Sequence, residues 1–125
     1  MIKYPFFLSV YADLCGDKIL RIMIELTEDT LKEIVENNDK VIVQYGATWC
    51  GNCRIVKPKF KRLSNEHSDV EFIYVDAEKL PASRGLAEVK NLPTFAGFKG
   101  GKLVAQQAGN KAEVITRVLD EITNN

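Results

Sequence analysis

Two cysteines separated by two residues, Cys50 and Cys53, constrain this sequence more than any other feature. The apolar run 41–45 before them consists mostly of β-favouring residues and predicts a buried strand. The residues after them place Cys53, Val56 and Phe60 at spacings of three and four, which predicts a helix with one buried face. The cysteine pair is therefore predicted to lie where a strand ends and a helix begins.

This position favours a reactive thiolate. A helix N-terminus presents free N–H groups and positive potential, which stabilise an anion, and only a thiolate attacks disulfides. We expect Cys50, beside Trp49, to be the exposed nucleophile. Cys53, one turn inside the helix, would resolve the mixed disulfide. Gly51 has no Cβ and lets a substrate backbone come close.

A structural disulfide or half of a zinc site would also place two cysteines at this spacing. A closed zinc site needs four ligands. Beyond the pair, the chain offers one more cysteine, Cys15, and one histidine, His67, neither in a ligand-like spacing. A C-x-x-C pair in a strand–helix context is typical of a redox motif. We therefore predict dithiol–disulfide exchange without a metal.

Composition bounds the remaining function classes. The 125 residues are enough for one domain with a substantial core. The 17 basic and 17 acidic residues balance, so nothing indicates nucleic acid or an anionic membrane surface as a partner. The sequence contains no internal repeat, low-complexity tract or apolar run of transmembrane length.

Residues 1–21 fit poorly with the rest of the sequence. The stretch 4–12 has the short apolar centre of a signal peptide, but Asp13 comes early and no small-x-small cleavage site follows. Export, or anchoring through Cys15, stays an alternative. A second alternative is that translation begins at Met23, so that Cys15 is absent from the cell. We interpret residues 1–21 as an N-terminal extension and residues 22–125 as the domain.

The pattern before the cysteine pair predicts a short strand over 22–26 and then a helix. Thr27 is suited to cap this helix, because its hydroxyl can accept a hydrogen bond from the first turn. Asp29, in that first turn, would complement the helix dipole. Leu26 and Leu31 stand at the two positions of a hydrophobic staple.

The helix that contains the cysteine pair is followed by further alternating elements. Pro58 falls inside that helix, where it lacks an N–H and should kink the axis. Proline is unfavourable inside a helix, and its presence so close to the reactive turn indicates that position 58 is functional. The run 70–75 predicts a strand, and 81–89 predicts a short helix that Gly85 weakens.

The last third of the chain predicts a hairpin and a final helix. A strand headed by Pro93 precedes a glycine-containing turn at 99–102 and a returning strand over 103–107. Asn110 would then cap the last helix, with Glu113 in a capping-box-like arrangement. The complete order β α β α β α β β α predicts an α/β fold with a mixed sheet of four to five strands and helices on both faces.

From about Ile22 onward the chain resembles the thioredoxin family. The motifs that carry the resemblance stand in the family's order and spacing: Trp49-Cys50-Gly51-x-Cys53, Pro58, Leu92-Pro93-Thr94, the glycine pair near Gly101, and Gly109. The resemblance implies the thioredoxin fold, a cis Leu92–Pro93 bond, and a shallow apolar groove that binds an extended segment of the target protein. The residues that it assigns to this groove are Trp49, Gly51, Asn52, Leu92, Pro93, Thr94, Ala108 and Gly109.

The sequence departs from the family pattern around the cysteine pair. Asn52 stands where the family most often has proline. Gln44 replaces a buried aspartate that would assist proton transfer at Cys53, and Phe72 replaces that aspartate's lysine neighbour. Exchanging both members of a buried ion pair for neutral groups is far less costly than removing one. We expect slower resolution, because Gln44 cannot accept a proton, and a less filled groove floor at Gly46, where an aromatic residue is common.

The resemblance implies a cytoplasmic, monomeric protein-disulfide reductase that takes part in redox homeostasis. It would carry electrons through Cys50 and Cys53 without a bound cofactor, and it would receive them from an NADPH-dependent thioredoxin reductase. Two alternatives stay open. One is the same chemistry in the periplasm or on a membrane, reached through the N-terminal extension. The other is a redox-sensing or chaperone-like binding module with poor turnover, which the missing acid at Gln44 favours.

Overall fold

The computed structural model describes residues 22–123. These residues form five strands and four helices, in the order β1 (Ile24–Glu25), α1 (Leu31–Asn37), β2 (Lys40–Gly46), α2 (Gly51–Ser64), β3 (Glu71–Asp76), α3 (Pro81–Arg84), β4 (Thr94–Lys99), β5 (Lys102–Ala108) and α4 (Ala112–Thr123). The predicted extension 1–21, with Cys15, lies outside the described residues.

One mixed sheet joins the strands in the order β1-β3-β2-β4-β5. β3 pairs in parallel with β1 and β2, because helices connect these strands in sequence. β4 pairs antiparallel with both β2 and β5. The β4–β5 turn uses Gly100 and Gly101 at φ values of 61° and 86°, which side chains disfavour. The predicted mixed sheet and hairpin are confirmed.

The sheet separates two apolar cores, and β2 contributes to both because its side chains alternate between faces. Val43 and Tyr45 pack with residues of α1 in one core. Ile42 packs with residues of α2 and α4 in the other. By the same alternation, Gln44 faces α2. The predicted helices on both faces are confirmed.

The buried face of α2 fixes the helix over the centre of the sheet. The Phe60 ring is fully buried, and its centroid lies 4.9 Å from that of Phe72 and 5.5 Å from that of Phe95. Pro58 lies inside the helix on its exposed side. This packing holds the N-terminus of α2 beyond the carboxyl end of β2, where the cysteine pair lies.

The predicted start of α1 is wrong. The helix begins at Leu31, and its N-cap is Thr30, whose side chain makes no capping hydrogen bond. Thr27 therefore caps nothing, and Leu31 is the first helical residue instead of the staple partner of Leu26. The predicted strand over 22–26 is also shorter, because the strand consists of Ile24 and Glu25, although the Leu26 N–H still donates to the Tyr74 carbonyl at 2.9 Å.

Asp29 does not lie in the first turn of α1, as predicted, but closes the N-terminus of α3. Its carboxylate accepts hydrogen bonds from the backbone N–H of Ala82 at 2.9 Å and of Ser83 at 2.6 Å. Hydrogen bonding holds the pKa of Asp29 below its usual value. The Ser83 side chain contributes most, and the backbone N–H groups of Ala82 and Ser83 contribute as well. A residue distant in sequence thus supplies the cap of α3, which ends at Arg84 and not near 89.

Candidate active site

Cys50 and Cys53 form a disulfide at the start of α2, with their Cα atoms 5.3 Å apart. Cys50 is the N-cap residue, in extended backbone geometry at φ −87° and ψ 107°. Its Sγ accepts a hydrogen bond from the backbone N–H of Cys53 at 3.1 Å. A free N–H at a helix N-terminus that points at sulfur stabilises negative charge on that sulfur. The geometry therefore suits thiolate chemistry at Cys50.

Both cysteines are largely covered in this disulfide form. Cys50 is 5% exposed and Cys53 1% exposed, and both pack against Ala47 and the partly buried Leu92. The prediction of an exposed Cys50 is wrong for the disulfide form, because its sulfur is held between Cys53 and the neighbouring apolar side chains. Cys50 is still the less buried of the two.

Trp49 lies at the surface beside the disulfide. Its residue is 63% exposed, and its indole Nε1 donates a hydrogen bond to Glu78 Oε2 at 2.7 Å. This bond ties the turn before Cys50 to the loop after β3. Sequence reasoning missed Glu78, because nothing in the local pattern around either residue indicates the contact.

Two segments of the predicted groove meet at the ends of β4 and β5. The Leu92–Pro93 bond is cis, as the resemblance implied. The N–H of Gly109 donates to the Pro93 carbonyl at 3.0 Å, and Thr94 pairs with Ala108 in the ladder between the two strands. Leu92, through its packing on the disulfide, brings these segments to the sulfurs.

Asn52 connects the cysteine pair to a loop on the other side of the site. Its Oδ1 accepts a hydrogen bond from Asn110 Nδ2 at 3.0 Å. The predicted role of Asn110 as the cap of the last helix is therefore wrong, because α4 begins at Ala112 and the Asn110 amide faces α2. Gly51 is exposed at the first position of α2, with open space where a Cβ would lie.

Gln44 lies fully buried beneath the start of α2. Its Nε2 donates to the Cys53 carbonyl at 3.2 Å, whereas its Oε1 has no hydrogen-bond partner within the described part of the chain. An unpaired buried acceptor is energetically costly and rare in folded proteins. Phe72, by contrast, lies in the aromatic core below and pairs in register with Ile42.

Tyr74 of β3 fills the space that the missing side chain of Gly46 leaves open. A Cβ built on Gly46 would collide with the Tyr74 hydroxyl, and it would lie 3.0 Å from Tyr74 Cζ and 3.2 Å from Cys53 Cβ. The predicted gap in the groove floor is therefore wrong. Sequence reasoning missed this contact because Tyr74 reads as an ordinary strand residue.

A cavity of about 580 Å³ opens beside Tyr74 and has mixed charge. Arg54, Lys57, Lys79, Glu25 and Asp76 all line it. Lys57 Nζ lies 4.2 Å from the centroid of the Tyr74 ring and 2.7 Å from Glu25 Oε2. Burial raises the pKa of Tyr74, and the carboxylates of Asp76 and Glu25 raise it further. The phenol is therefore neutral and a hydrogen-bond donor at neutral pH.

The described residues add two observations on the alternatives. Between residues 22 and 123, no group of three or more His, Cys, Asp and Glu side chains is arranged to hold a metal ion. In the same range, no helix combines the length and the apolar character that crossing a membrane requires.

Comparison with known proteins gives one consistent result. The sequence profile of the thioredoxin family matches residues 22–121. Thioredoxin from Ovis aries is 38% identical over 82 residues, which are 66% of this chain and 78% of that protein. Oxidised mitochondrial thioredoxin 3 from Saccharomyces cerevisiae has a TM-score of 0.71 and 29% identity, over 78% of this chain and 94% of its own.

A second similar structure comes from a complex. A chain in the crystal structure of ferredoxin–thioredoxin reductase with thioredoxin f2 has a TM-score of 0.72 and 27% identity, over 81% of this chain and 94% of its own. The family match covers every described strand and includes the Cys50–Cys53 disulfide. This chain therefore belongs to the thioredoxin family, and it is a thiol–disulfide oxidoreductase.

Proposed function

We propose that this protein reduces disulfides in other proteins, with Cys50 as the nucleophile and Cys53 as the resolving thiol. The observation that supports these roles is the hydrogen bond from the Cys53 N–H to Cys50 Sγ at 3.1 Å. After reduction, the same N–H can stabilise a Cys50 thiolate, which lowers its pKa and makes it the attacking group. Cys53 lies one turn deeper in the helix and is 1% exposed.

The exchange proceeds in two steps. The Cys50 thiolate attacks one sulfur of the substrate disulfide, and the other substrate sulfur leaves as a thiolate. Cys53 then loses its proton and attacks Cys50 Sγ, which forms the Cys50–Cys53 bond and releases the second substrate sulfur. Two electrons pass from the pair to the substrate. We propose that the sulfurs carry these electrons without a bound cofactor.

The substrate segment would bind in an extended conformation across the groove. The residues proposed to contact it are Trp49, Gly51, Asn52, Leu92, Pro93, Thr94, Ala108 and Gly109. The exposed Trp49 indole and the partly buried Leu92 supply apolar surface on two sides of the disulfide. Backbone groups beside Pro93 would pair with the substrate in the manner of an added strand.

We further propose a cytoplasmic, monomeric protein that is recharged by an NADPH-dependent thioredoxin reductase. A reducing compartment keeps such a dithiol in its active form. The similarity to a thioredoxin f2 chain crystallised with ferredoxin–thioredoxin reductase supports an external reductase as the electron source. Immunolocalisation of the tagged protein, and its reduction by purified reductase and NADPH, test these two parts separately.

Insulin reduction with Cys50→Ser and Cys53→Ser variants tests the proposed roles. We expect the parent protein to turn over and both variants to fall to background. Only Cys53→Ser should trap a stable mixed disulfide with the substrate, because Cys50 still attacks but nothing resolves the product. Turnover by Cys50→Ser, or trapping by Cys50→Ser alone, would reverse the assignment. A parent protein that binds unfolded insulin without turnover would support the binding-module alternative instead.

A further inference from the structure

The second step of the exchange requires that Cys53 lose a proton in a buried place. Cys53 is 1% exposed, and burial without a partner raises the pKa of a thiol. Gln44, the polar side chain beneath it, donates to the Cys53 carbonyl and offers no base. A carboxamide does not titrate in the accessible pH range. The proton step therefore depends on another group.

A second polar group of the sheet, the Tyr74 hydroxyl, lies on the same side of Cys53 as Gln44. It and Cys53 Cβ border the same small volume, because a Cβ built on Gly46 would collide with the hydroxyl and lie 3.2 Å from Cys53 Cβ. β2 and β3 are parallel, with Gly46 opposite Asp76 and Gln44 opposite Tyr74. Only a glycine at 46 lets the phenol pass between the strands and the start of α2.

We infer that the Tyr74 hydroxyl donates a hydrogen bond to the Cys53 sulfur as that sulfur ionises, and so makes Cys53 a competent resolving nucleophile. The inference rests on the proposed function, because it concerns the second step of the same exchange. Tyr74 is a positioning residue here: it forms no bond with the substrate and acts through Cys53. Hydrogen bonds to an ionised group are about twice as strong as those between neutral groups.

The charges around Tyr74 are consistent with a donor role. Lys57 and Arg54 of α2, Lys79 after β3, Glu25 of β1 and Asp76 of β3 all line the cavity beside the ring. Lys57 is paired with Glu25 at 2.7 Å. Burial and the two carboxylates keep the pKa of Tyr74 raised, so the phenol retains its proton throughout the neutral range.

In the proposed step, the proton of Cys53 passes to solvent and an electron pair passes to the substrate. The Cys53 thiol gives its proton to a water molecule of the solvent, and the resulting thiolate accepts a hydrogen bond from the Tyr74 hydroxyl. The thiolate then attacks Cys50 Sγ, so that the Cys50–Cys53 bond forms and the bond from Cys50 to the substrate sulfur breaks. The electron pair leaves on the substrate sulfur, which takes a proton from solvent. Tyr74 keeps its proton throughout.

Single-turnover kinetics of Tyr74→Phe test the inference. Reduced protein is mixed with a peptide disulfide between pH 5 and 9, quenched with acid, alkylated, and analysed by mass spectrometry for free protein, mixed disulfide and oxidised protein. We expect resolution to slow about tenfold at pH 7 and its pH midpoint to rise by about one unit, which is the equivalent shift. The first attack by Cys50 should be unchanged.

Tyr45→Phe is the matched control. The Tyr45 hydroxyl donates to the Ser83 carbonyl at 2.8 Å in the core on the opposite face of the sheet. This variant loses the same atom from the neighbouring strand, so it should resolve the mixed disulfide at the parent rate with the parent pH midpoint. Equal slowing in both tyrosine variants would assign the effect to general destabilisation and overturn the inference.

Gly46→Ala tests the same geometry with the hydroxyl still present. The added Cβ displaces the Tyr74 hydroxyl, so resolution should slow as it does in Tyr74→Phe. In the Tyr74→Phe background, Gly46→Ala should slow resolution less than it does in the parent, because the hydroxyl is already absent and only the contacts at 3.0 Å with the ring and 3.2 Å with Cys53 Cβ remain. Gln44→Asp in the Tyr74→Phe background should restore fast resolution by supplying a proton acceptor.

The outcomes distinguish a failure of the role inferred for Tyr74 from a failure of the proposed function. If Tyr74→Phe resolves at the parent rate with an unshifted midpoint, or if Gly46→Ala slows resolution as much in the Tyr74→Phe background as in the parent, the inference is wrong while the exchange mechanism stands. If the parent protein shows no Cys50 attack on the peptide disulfide, the proposed function itself fails.

Discussion

The cysteine turn (residues 47–53) and the floor beneath it (Gln44, Gly46, Phe72 and Tyr74) follow the family pattern to different degrees. The turn has the tryptophan, both cysteines and the glycine of the family motif. The floor has neither the acid nor its lysine partner, and its glycine admits a tyrosine from the next strand. The two regions therefore have different functions. The start of the helix fixes the positions of the sulfurs, whereas side chains from several strands determine how Cys53 loses its proton.

The two regions also differ in their exposure to solvent. The turn is bordered by the exposed residues Trp49 and Asn52, and the side-chain hydrogen bonds of these two residues can exchange with water. In the floor, Gln44 is fully buried and Phe72 is 2% exposed, whereas Tyr74 is partly buried and borders the cavity. Substitutions in the floor should therefore lower stability more than substitutions of the exposed residues in the turn.

The largest expected effect on stability comes from the helix face that rests on the floor. Phe60 is fully buried against Phe72 and Phe95, so Phe60→Ala should lower the free energy of unfolding by about 3–5 kcal/mol. Ile55, on the same helix, is 60% exposed, and Ile55→Ala should stay within about 0.5 kcal/mol of the parent. Urea denaturation of the oxidised proteins, with equal m-values, measures both. Similar losses in the two variants would contradict the contrast.

A second comparison makes one chemical change in each region. Gly46→Ala in the floor introduces a Cβ that collides with Tyr74, so it should lower the free energy of unfolding by about 1–3 kcal/mol. Gly51→Ala in the turn meets no atom within 4 Å, and Gly51 is not among the positive-φ glycines. It should leave stability unchanged or raise it by up to about 1 kcal/mol, since alanine favours the helix.

Thermal denaturation of both glycine variants, in oxidised and in reduced form, measures this contrast. The comparison fails if Gly51→Ala destabilises the protein as much as Gly46→Ala does. A loss for Gly46→Ala that is smaller in the Tyr74→Phe background would locate the closest collision at the hydroxyl, because only the contacts at 3.0 Å and 3.2 Å remain there.

Local sequence patterns predicted the turn well and the floor poorly. The placement of Cys50 and Cys53 between a strand and a helix followed from an apolar run and from spacings of three and four, both of which are local. The contact of Tyr74 with Gly46 joins adjacent strands, and the register between these strands cannot be predicted from local sequence patterns. It therefore appeared as an empty floor until the strands were placed side by side.

The failed capping predictions have the same cause. Thr27 and Asn110 have the residue types that cap helices, but α1 and α4 begin further along the chain. Asn110 instead bonds Asn52, and Asp29 instead closes the distant helix α3. Short polar side chains satisfy whichever backbone or side-chain group the tertiary fold brings near them. Their local pattern shows which residues are able to cap a helix, but it does not show which of them does so.

The smallest expected effect concerns the bond between Asn52 and Asn110, which lies at the exposed edge of the turn. Both groups are neutral and water can replace either partner, so Asn110→Ala should lower the free energy of unfolding by no more than about 1 kcal/mol. A double-mutant cycle with Asn52→Ala should give a coupling of about 0.5 kcal/mol. Urea denaturation of the four oxidised proteins provides the values. A coupling as large as the loss in Gly46→Ala would contradict the comparison. It would mean that the Asn52–Asn110 bond stabilises the turn as strongly as packing stabilises the floor, because an exposed hydrogen bond of that strength requires rigid loops on both sides.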